Sequence, residues 1–160
     1  EFTGIYNSPD STAMSGTFTV ANQSAGIEVN DTNVTTATFH GETSQRIESF
    51  DLALNNEVVY KETASSKEVL ITNRAPGGTA VLEEPVRATT DYFAKAETAA
   101  TGNSSIVLGS SAGNIVTVNV PQTDITGVSR GDTNGVNSLN LPYLALPTTA
   151  GNNELSIVMT

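Results

Sequence analysis

From residue 34 onward, apolar and polar positions alternate in short runs that are separated by turn residues. The segment Val34–His40 is rich in β-branched residues and ends at a glycine. The segment Lys67–Arg74 places Val69 and Ile71 on one side of an extended chain and Leu70 on the other. A period of two is typical of a half-buried β-strand. The pattern therefore predicts a series of strands.

Two of these runs are expected to form a hairpin. Arg46–Leu54 has apolar residues on one face, with one residue out of phase that indicates a bulge near Glu48 or Ser49. Asn55-Asn56 follows, and asparagine tolerates a positive φ better than most residues. Glu57–Lys61 then returns. The sequence predicts a hairpin over residues 46–61.

The last third of the chain predicts further strands. Ser105–Gly109 and Asn114–Val120 flank a small polar turn, which indicates a second hairpin closed by Pro121. Farther on, Ile125–Ser129 is a short candidate strand before a turn at Gly131–Gly135. Two more apolar faces follow, and Pro142, which has no N–H to donate, predicts an edge strand or a bulge for the first of them. Their members are Leu139, Leu141, Tyr143 and Ala145, and then Leu155, Ile157 and Met159.

One segment has helical periodicity. Its apolar residues fall at positions i, i+1, i+4, i+7 and i+8, which is the spacing of one helix face. Thr89 or Thr90 is the expected N-cap, Asp91 is expected in the first turn, and Gly102 is expected to end the helix. The apolar stripe consists of Tyr92, Phe93, Ala96, Ala99 and Ala100.

These elements predict a mainly β fold. We expect an antiparallel β-sandwich or a barrel-like pair of sheets, with one short flanking α-helix at about residues 90–100. Residues 1–33 are weakly patterned and are interpreted as an N-terminal arm or linker with short strands, such as Thr17–Val20. Residues 34–160 form the predicted β-sandwich domain.

Charge and composition exclude several function classes. The 160 residues include 17 acidic and 7 basic side chains, for a net charge of −10, which argues against a nucleic-acid-binding surface. The chain has no cysteine, so it has no disulfide, thiol nucleophile or cysteine zinc site. No apolar run approaches the roughly 20 residues that a membrane-spanning helix needs.

Two candidate catalytic features have weak support in the sequence. Gly109–Gly113 matches the G-x-S-x-G pattern, which requires a strand before the serine and a helix after it. The segment after it alternates as a strand, so a hairpin turn is favoured. His40 is the one imidazole available as a general base, and we interpret it as a surface residue because no nucleophile accompanies it.

Other motifs also favour structural interpretations. Glu83 and Glu84 are adjacent, so on a strand they face opposite sides and cannot act as a carboxylate pair. Asp132–Asn134 begins like a calcium loop, but Tyr143 occupies the twelfth position, where a glutamate is needed. Arg130–Asp132 spells a cell-attachment tripeptide that is interpreted as a turn. We therefore predict no catalytic residue, metal site or cofactor, although a small carbohydrate-active β-fold enzyme remains a third possibility.

The order of several segments resembles a known family. After the first two hairpin regions come the helix, a strand ending at Pro121, and a turn. The segments that carry the resemblance are Ile47–Tyr60, Val69–Gly78, Tyr92-Phe93, Arg130–Val136 and Asn153–Met159. From about residue 34 to the end, their order is similar to that of the C-terminal domain of tail tube or related virion structural proteins of tailed bacteriophages.

The resemblance implies a non-enzymatic subunit that assembles into stacked rings around a DNA channel. Its partners would be further copies of itself and other virion proteins. DNA would pass without specific binding, and no membrane would be involved. The location would be the virion tail, assembled in the cytoplasm of the host bacterium. An acidic lumen would repel phosphates, so that DNA slides through the tube.

Edge strands that pair between subunits would then form the interface. The residues expected there are Val58, Tyr60, Thr63, Ser65 and Lys67. The alternative interpretation is a non-catalytic β-sandwich binding or spacer module of a bacterial surface protein or phage fibre. The region Thr63–Lys67 distinguishes the two, because it would be ordered against a neighbour in an assembly and mobile in a spacer.

Overall fold

The computed structural model of the chain describes residues 26–43 and 45–160. In this part of the chain, eleven antiparallel β-strands and one short α-helix confirm the predicted mainly β, sandwich-like fold. The predicted strand Thr17–Val20 and most of the predicted arm lie outside the described residues. The elements are β1 (Val34–Phe39), β2 (Glu42–Thr43), β3 (Ile47–Phe50), β4 (Asn56–Glu62), β5 (Lys67–Arg74), β6 (Gly77–Glu83), α1 (Tyr92–Glu97), β7 (Thr101–Leu108), β8 (Val116–Ile125), β9 (Ser129–Thr133), β10 (Val136–Leu146) and β11 (Ser156–Met159).

The described residues divide into two compact units. The larger unit comprises Ile27–Asn55 and Ala75–Thr160, and it contains a nine-stranded sheet and α1. The smaller unit contains Gly26 and Asn56–Arg74, and its strands β4 and β5 form a separate two-stranded sheet.

The large sheet curves until its two ends face each other. Its strand order is β2-β1-β7-β8-β10-β6-β3, with β11 added to β8 and β9 added to β10. Phe39 of β1 and Phe50 of β3 are near opposite ends of this order, yet their ring centroids are 6.4 Å apart. The sheet therefore folds over itself and forms a sandwich-like core.

Aromatic rings fill the centre of that core. Phe39 is fully buried, and its ring contacts those of Tyr92 and Tyr143 at centroid distances of 5.9 Å. Tyr143 also stacks on Phe50 at 5.3 Å. Alternate residues of β10 point into the core, as the sequence predicts. The buried core consists of Phe39, Ala80, Leu82, Tyr92, Ile125, Leu139, Leu141 and Tyr143.

The predicted hairpin over residues 46–61 is wrong, because its two halves pair with different strands. Ile47–Phe50 pairs with β6, and Asn56–Glu62 pairs with β5. The predicted bulge is nevertheless present in β3, where the register shifts between Ile47 and Ser49. Asn55 has the expected positive φ of 49°, but it connects two sheets instead of turning within one.

The helix is shorter than predicted and has a different cap. α1 spans Tyr92–Glu97, and Asp91 is its N-cap, with a side chain that accepts hydrogen bonds from the N–H groups of Phe93 and Ala94. Asp91 is the N-cap instead of the predicted Thr89 or Thr90, because its carboxylate satisfies two unpaired helix donors at once. Gly102, the expected terminator, lies in β7.

The prolines occupy strand positions that need no ladder donor. Pro121 was expected to end its strand, but β8 continues through it. The register between β7 and β8 shifts beside this proline, between Gly102 and Ser104, so Pro121 has no direct partner on β7 to which an N–H would donate.

Pro142 lies in a central strand, so of the two predicted alternatives the edge strand is wrong. The bulge agrees with the structure, because the pairing of β10 shifts by one residue between Asn140, opposite Ser129, and Tyr143, opposite Ile125. The carbonyl of Pro142 accepts a hydrogen bond from the N–H of Thr126, which lies outside the strands. The nitrogen of Pro142 faces the same side as this carbonyl, where the regular pairing is interrupted, so no donor is required from it.

The other hairpins follow the sequence closely. β7 and β8 pair antiparallel around the turn that was predicted at Ser110–Gly113. The turn expected over Gly131–Gly135 narrows to Asn134-Gly135, whose φ angles are both positive, as a two-residue hairpin turn requires. The short strand expected at Ile125–Ser129 starts later, at Ser129.

Candidate subunit interface

The small unit is a regular hairpin with a hydrogen-bonded tip. Residues Asn56–Glu62 pair with Lys67–Arg74, with one register shift between Glu57 and Val58. At the tip, the N–H of Thr63 donates to the carbonyl of Ser66 at 2.8 Å. The Thr63 hydroxyl in turn accepts from the N–H of Ser66 at 3.1 Å. These bonds fix the tip without glycine or proline.

The hairpin carries apolar side chains on both faces. Val58 is opposite Ile71, and Tyr60 is opposite Val69, so these four residues share one face, here called the hairpin face. Val59 and Leu70 are opposite each other on the other face. Five of these six side chains are between 37% and 63% exposed, and Val69 is half-buried.

Charged residues follow the apolar rows towards the tip. Lys67 forms an ion pair with Glu62 at 2.7 Å, and the Tyr60 hydroxyl donates to Glu62 at 3.0 Å. The Lys67 ammonium, and then the Tyr60 hydroxyl, lower the pKa of Glu62. Desolvation, followed by the bond to Glu62, raises the pKa of Tyr60. The polar atoms of this row therefore satisfy one another, while the apolar rows have no partner layer among the described residues.

Of the predicted interface residues, Val58, Tyr60 and Lys67 lie on the hairpin face, and Thr63 and Ser65 lie at the tip. Whether they contact another subunit remains a prediction. The sequence analysis missed Val69 and Ile71, although it had placed both on one side of their strand. It missed them because it paired β4 with the segment Arg46–Leu54 and not with β5, so it could not identify the residues of β5 that lie opposite Val58 and Tyr60.

His40 is buried, and the interpretation of it as a surface residue is wrong. It is 5% exposed and has a positive φ of 53°. Its Nε2 donates to the Ala100 carbonyl at 2.8 Å, and its Nδ1 has no hydrogen-bond partner among the described residues. The Ser104 hydroxyl accepts from the His40 backbone N–H at 3.0 Å instead of contacting the ring. The arrangement ties a strand end to the core and does not align a base with a nucleophile.

The adjacent glutamates bind different arginines. Glu83 pairs with Arg46 at 2.8 Å, and Glu84 pairs with Arg130 at 2.6 Å. The segment Arg130–Asp132 lies within β9, so its interpretation as a turn is wrong. Arg130 also lies over the Phe93 ring, 5.1 Å from its centroid. Its guanidinium is therefore held by contacts within the unit.

In the part of the chain described by the structure, no group of three or more histidine, aspartate or glutamate side chains could hold a metal ion. The same residues include no helix long and apolar enough to cross a membrane. The chain was compared with models of known protein families, with curated proteins and with solved structures, and none of them matches it. The exposed apolar hairpin is accordingly the candidate site.

Proposed function

We propose that this protein is a non-enzymatic structural subunit that assembles with copies of itself through the hairpin Asn56–Arg74. The observation that carries the proposal is a two-stranded sheet whose apolar side chains are exposed on both faces, from Leu70 at 37% to Ile71 at 63%. A polar tip and an apolar body make this hairpin suited to packing against another protein surface.

The energetics favour a covered hairpin. An isolated two-stranded hairpin is at best marginally stable in water. Complete burial of one valine or leucine side chain contributes about 1.5–3 kcal/mol, so covering several half-exposed side chains yields a substantial association energy. An exposed apolar patch of this kind is typical of an interaction site.

Within this class, we propose the tail tube of a tailed bacteriophage, built from stacked rings. The resemblance in segment order and the net charge of −10 support it. An acidic lumen would reduce the adhesion of DNA to the channel wall. If so, replacing lumen acids with lysine should slow DNA ejection from particles, and unchanged ejection would contradict the electrostatic part of the proposal.

The test combines light scattering after size exclusion with negative-stain images over a concentration series. Wild-type protein should form rings or tubes. A Val58→Thr, Ile71→Thr variant should remain monomeric, because threonine keeps a similar shape and β-propensity but removes apolar surface. The matched control is Val86→Thr, Val136→Thr, which alters two exposed valines of the large unit and should assemble like the wild type.

A monomer at every concentration, with the full mass confirmed, would overturn self-assembly. The remaining interpretation would be the binding or spacer module of a bacterial surface protein or phage fibre. In that case the hairpin should exchange its amide hydrogens rapidly, including those around Thr63–Lys67.

A further inference from the structure

On one face of the large sheet, the side chains become more exposed part of the way along the strands. On β8, Val120 is fully buried, whereas Val118 and Val116, which point to the same side, are half-buried. The strand itself continues to be paired on both edges there, to β7 and to β11. Among the described residues, the change in burial therefore reflects a facing layer that is incomplete here and not the end of the sheet.

The registers identify the whole uncovered surface. Ala37, Ile106, Val118 and Ile157 are direct neighbours across β1, β7, β8 and β11. A second row follows two residues along each strand or, on β1, across a bulge. We name these two rows the open face: Ala37, Ile106, Val118 and Ile157, then Val34, Leu108, Val116 and Met159.

The open face is apolar and accessible. Ile157 is 56% exposed and Met159 is 77% exposed. Val34, Ala37, Ile106 and Val118 line a groove of about 660 Å³. The same groove is also lined by Phe50 and by charged residues of both signs: Asp31, Arg46 and Glu48.

We propose that the open face of one copy receives the hairpin face of a second copy. This inference rests on the proposed self-assembly and names the two surfaces that meet. The hairpin face has no covering layer among the described residues, and those residues cover the open face only in part. Each offers two apolar rows with the same spacing along a strand, because side chains on one face recur every second residue.

Charge supports the same pairing. Beyond its two apolar rows the hairpin face ends in Glu62 and Lys67, and the residues that line the groove include Arg46, Glu48 and Asp31. A row with one charge of each sign can meet opposite charges among these groove residues. A mismatched, single-sign row would leave unpaired charges at the edge of the contact.

Size predicts how the contact behaves. A hairpin with strands of seven and eight residues presents a face of roughly 26 by 10 Å, which is less than the roughly 800 Å² that each partner buries in a standard interface. Because the two surfaces differ, each copy can make the contact twice, once with each surface. Such head-to-tail contacts generate closed rings or open filaments, and the repetition compensates for the small area.

The absence of cysteine from the sequence allows a direct test. Ile157→Cys, on the open face, is mixed with Val58→Cys, on the hairpin face, at assembling concentration. A bismaleimide with an arm of about 8 Å is added, since packed sheets lie roughly 10 Å apart. Mass spectrometry of the linked peptides measures the mixed product. Ile71→Cys gives a second hairpin position if Val58→Cys weakens assembly.

The matched control is Val158→Cys, which is 47% exposed on the same strand but points to the opposite side of the sheet. The mixed product should be several-fold more abundant with Ile157→Cys than with Val158→Cys. Equal yields in a chain that assembles by light scattering would overturn the proposed pairing and leave self-assembly intact. A chain that remains monomeric would overturn both.

Discussion

The hairpin and the core of the large sheet are built alike but covered differently. Leu82 and Leu139 are opposite each other in the β6–β10 ladder and are 0% and 2% exposed. Val59 and Leu70 are opposite each other in the β4–β5 ladder and are 39% and 37% exposed. Both pairs are aliphatic and antiparallel, and what differs is how far other described residues cover them. An apolar cross-strand pair predicts a covering layer, but it does not say which molecule supplies that layer.

The largest expected contrast comes from truncating a buried ring. Phe39→Ala should lower the free energy of unfolding by about 3–5 kcal/mol, because it removes the ring at the centre of the aromatic cluster and leaves a cavity. Ile71→Ala in the hairpin should barely change the urea midpoint of dilute, monomeric protein, since that side chain is 63% exposed. A large loss for Ile71→Ala under these conditions would show that its side chain is already covered in the monomer.

A second contrast concerns close backbone packing. A methyl group at Gly102 would lie 2.6 Å from the carbonyl carbon and oxygen of His40, so Gly102→Ala should cost about 1–3 kcal/mol in urea unfolding. The matched control is Gly127→Ala, whose added carbon has an ordinary 3.6 Å contact with Pro142. Similar midpoints for the two variants would contradict tight packing beside His40.

Two buried tyrosines separate the effect of a hydrogen bond from the effect of burial. The Tyr143 hydroxyl donates to the Asp51 carbonyl at 2.7 Å, whereas the Tyr92 hydroxyl has no partner among the described residues. Burial raises the pKa of both phenols. Tyr143→Phe should therefore lose about 1 kcal/mol of stability, and Tyr92→Phe should lose none or gain slightly. Thermal and urea unfolding of the pair measures the difference, and equal losses would contradict this assignment.

The smallest effect is expected from surface charge and depends on pH. The hydrogen bond from the Arg87 side chain lowers the pKa of Asp91 most, and the hydrogen bond from the backbone N–H of Ala94 lowers it further. Its ionised form therefore stabilises the folded state fully above the pKa of an unfolded aspartate, about 3.9, and this contribution is lost as the pH falls through the lowered folded value. Asp91→Ala should be less stable than wild type at pH 7, and the two unfolding curves should converge near pH 2. A constant difference down to pH 2 would contradict the mechanism.

Much of the fold follows from local pattern. Alternation on β10 correctly predicted that Leu139, Leu141 and Tyr143 share a face, because a two-residue period fixes which side chains lie together, and the structure buries that face in the core. The bulge in β3 was visible as one residue out of phase. The failures concern pairing: Asn55-Asn56 looked like a hairpin turn, but no local signal shows that the flanking strands belong to different sheets.

The candidate site was only partly predictable for the same reason. Val58 and Tyr60 could be placed on one face from the sequence, whereas Val69 and Ile71 join them only once the partner strand is known. The open face is harder still, since its rows join residues as distant in sequence as Ala37 and Ile157. Burial of His40 likewise depends on contacts with Ala100 and Ser104, which are distant in the sequence.

Hydrogen exchange over a concentration series tests most directly whether the hairpin is covered by another copy. Amides of Asn56–Arg74 should exchange rapidly in dilute protein and become protected as the molar mass rises. Amides of the paired segments of β8 and β10 should be protected at every concentration, which makes them the internal control. A rise in molar mass with no change in hairpin exchange would contradict the account, because assembly would then use another surface.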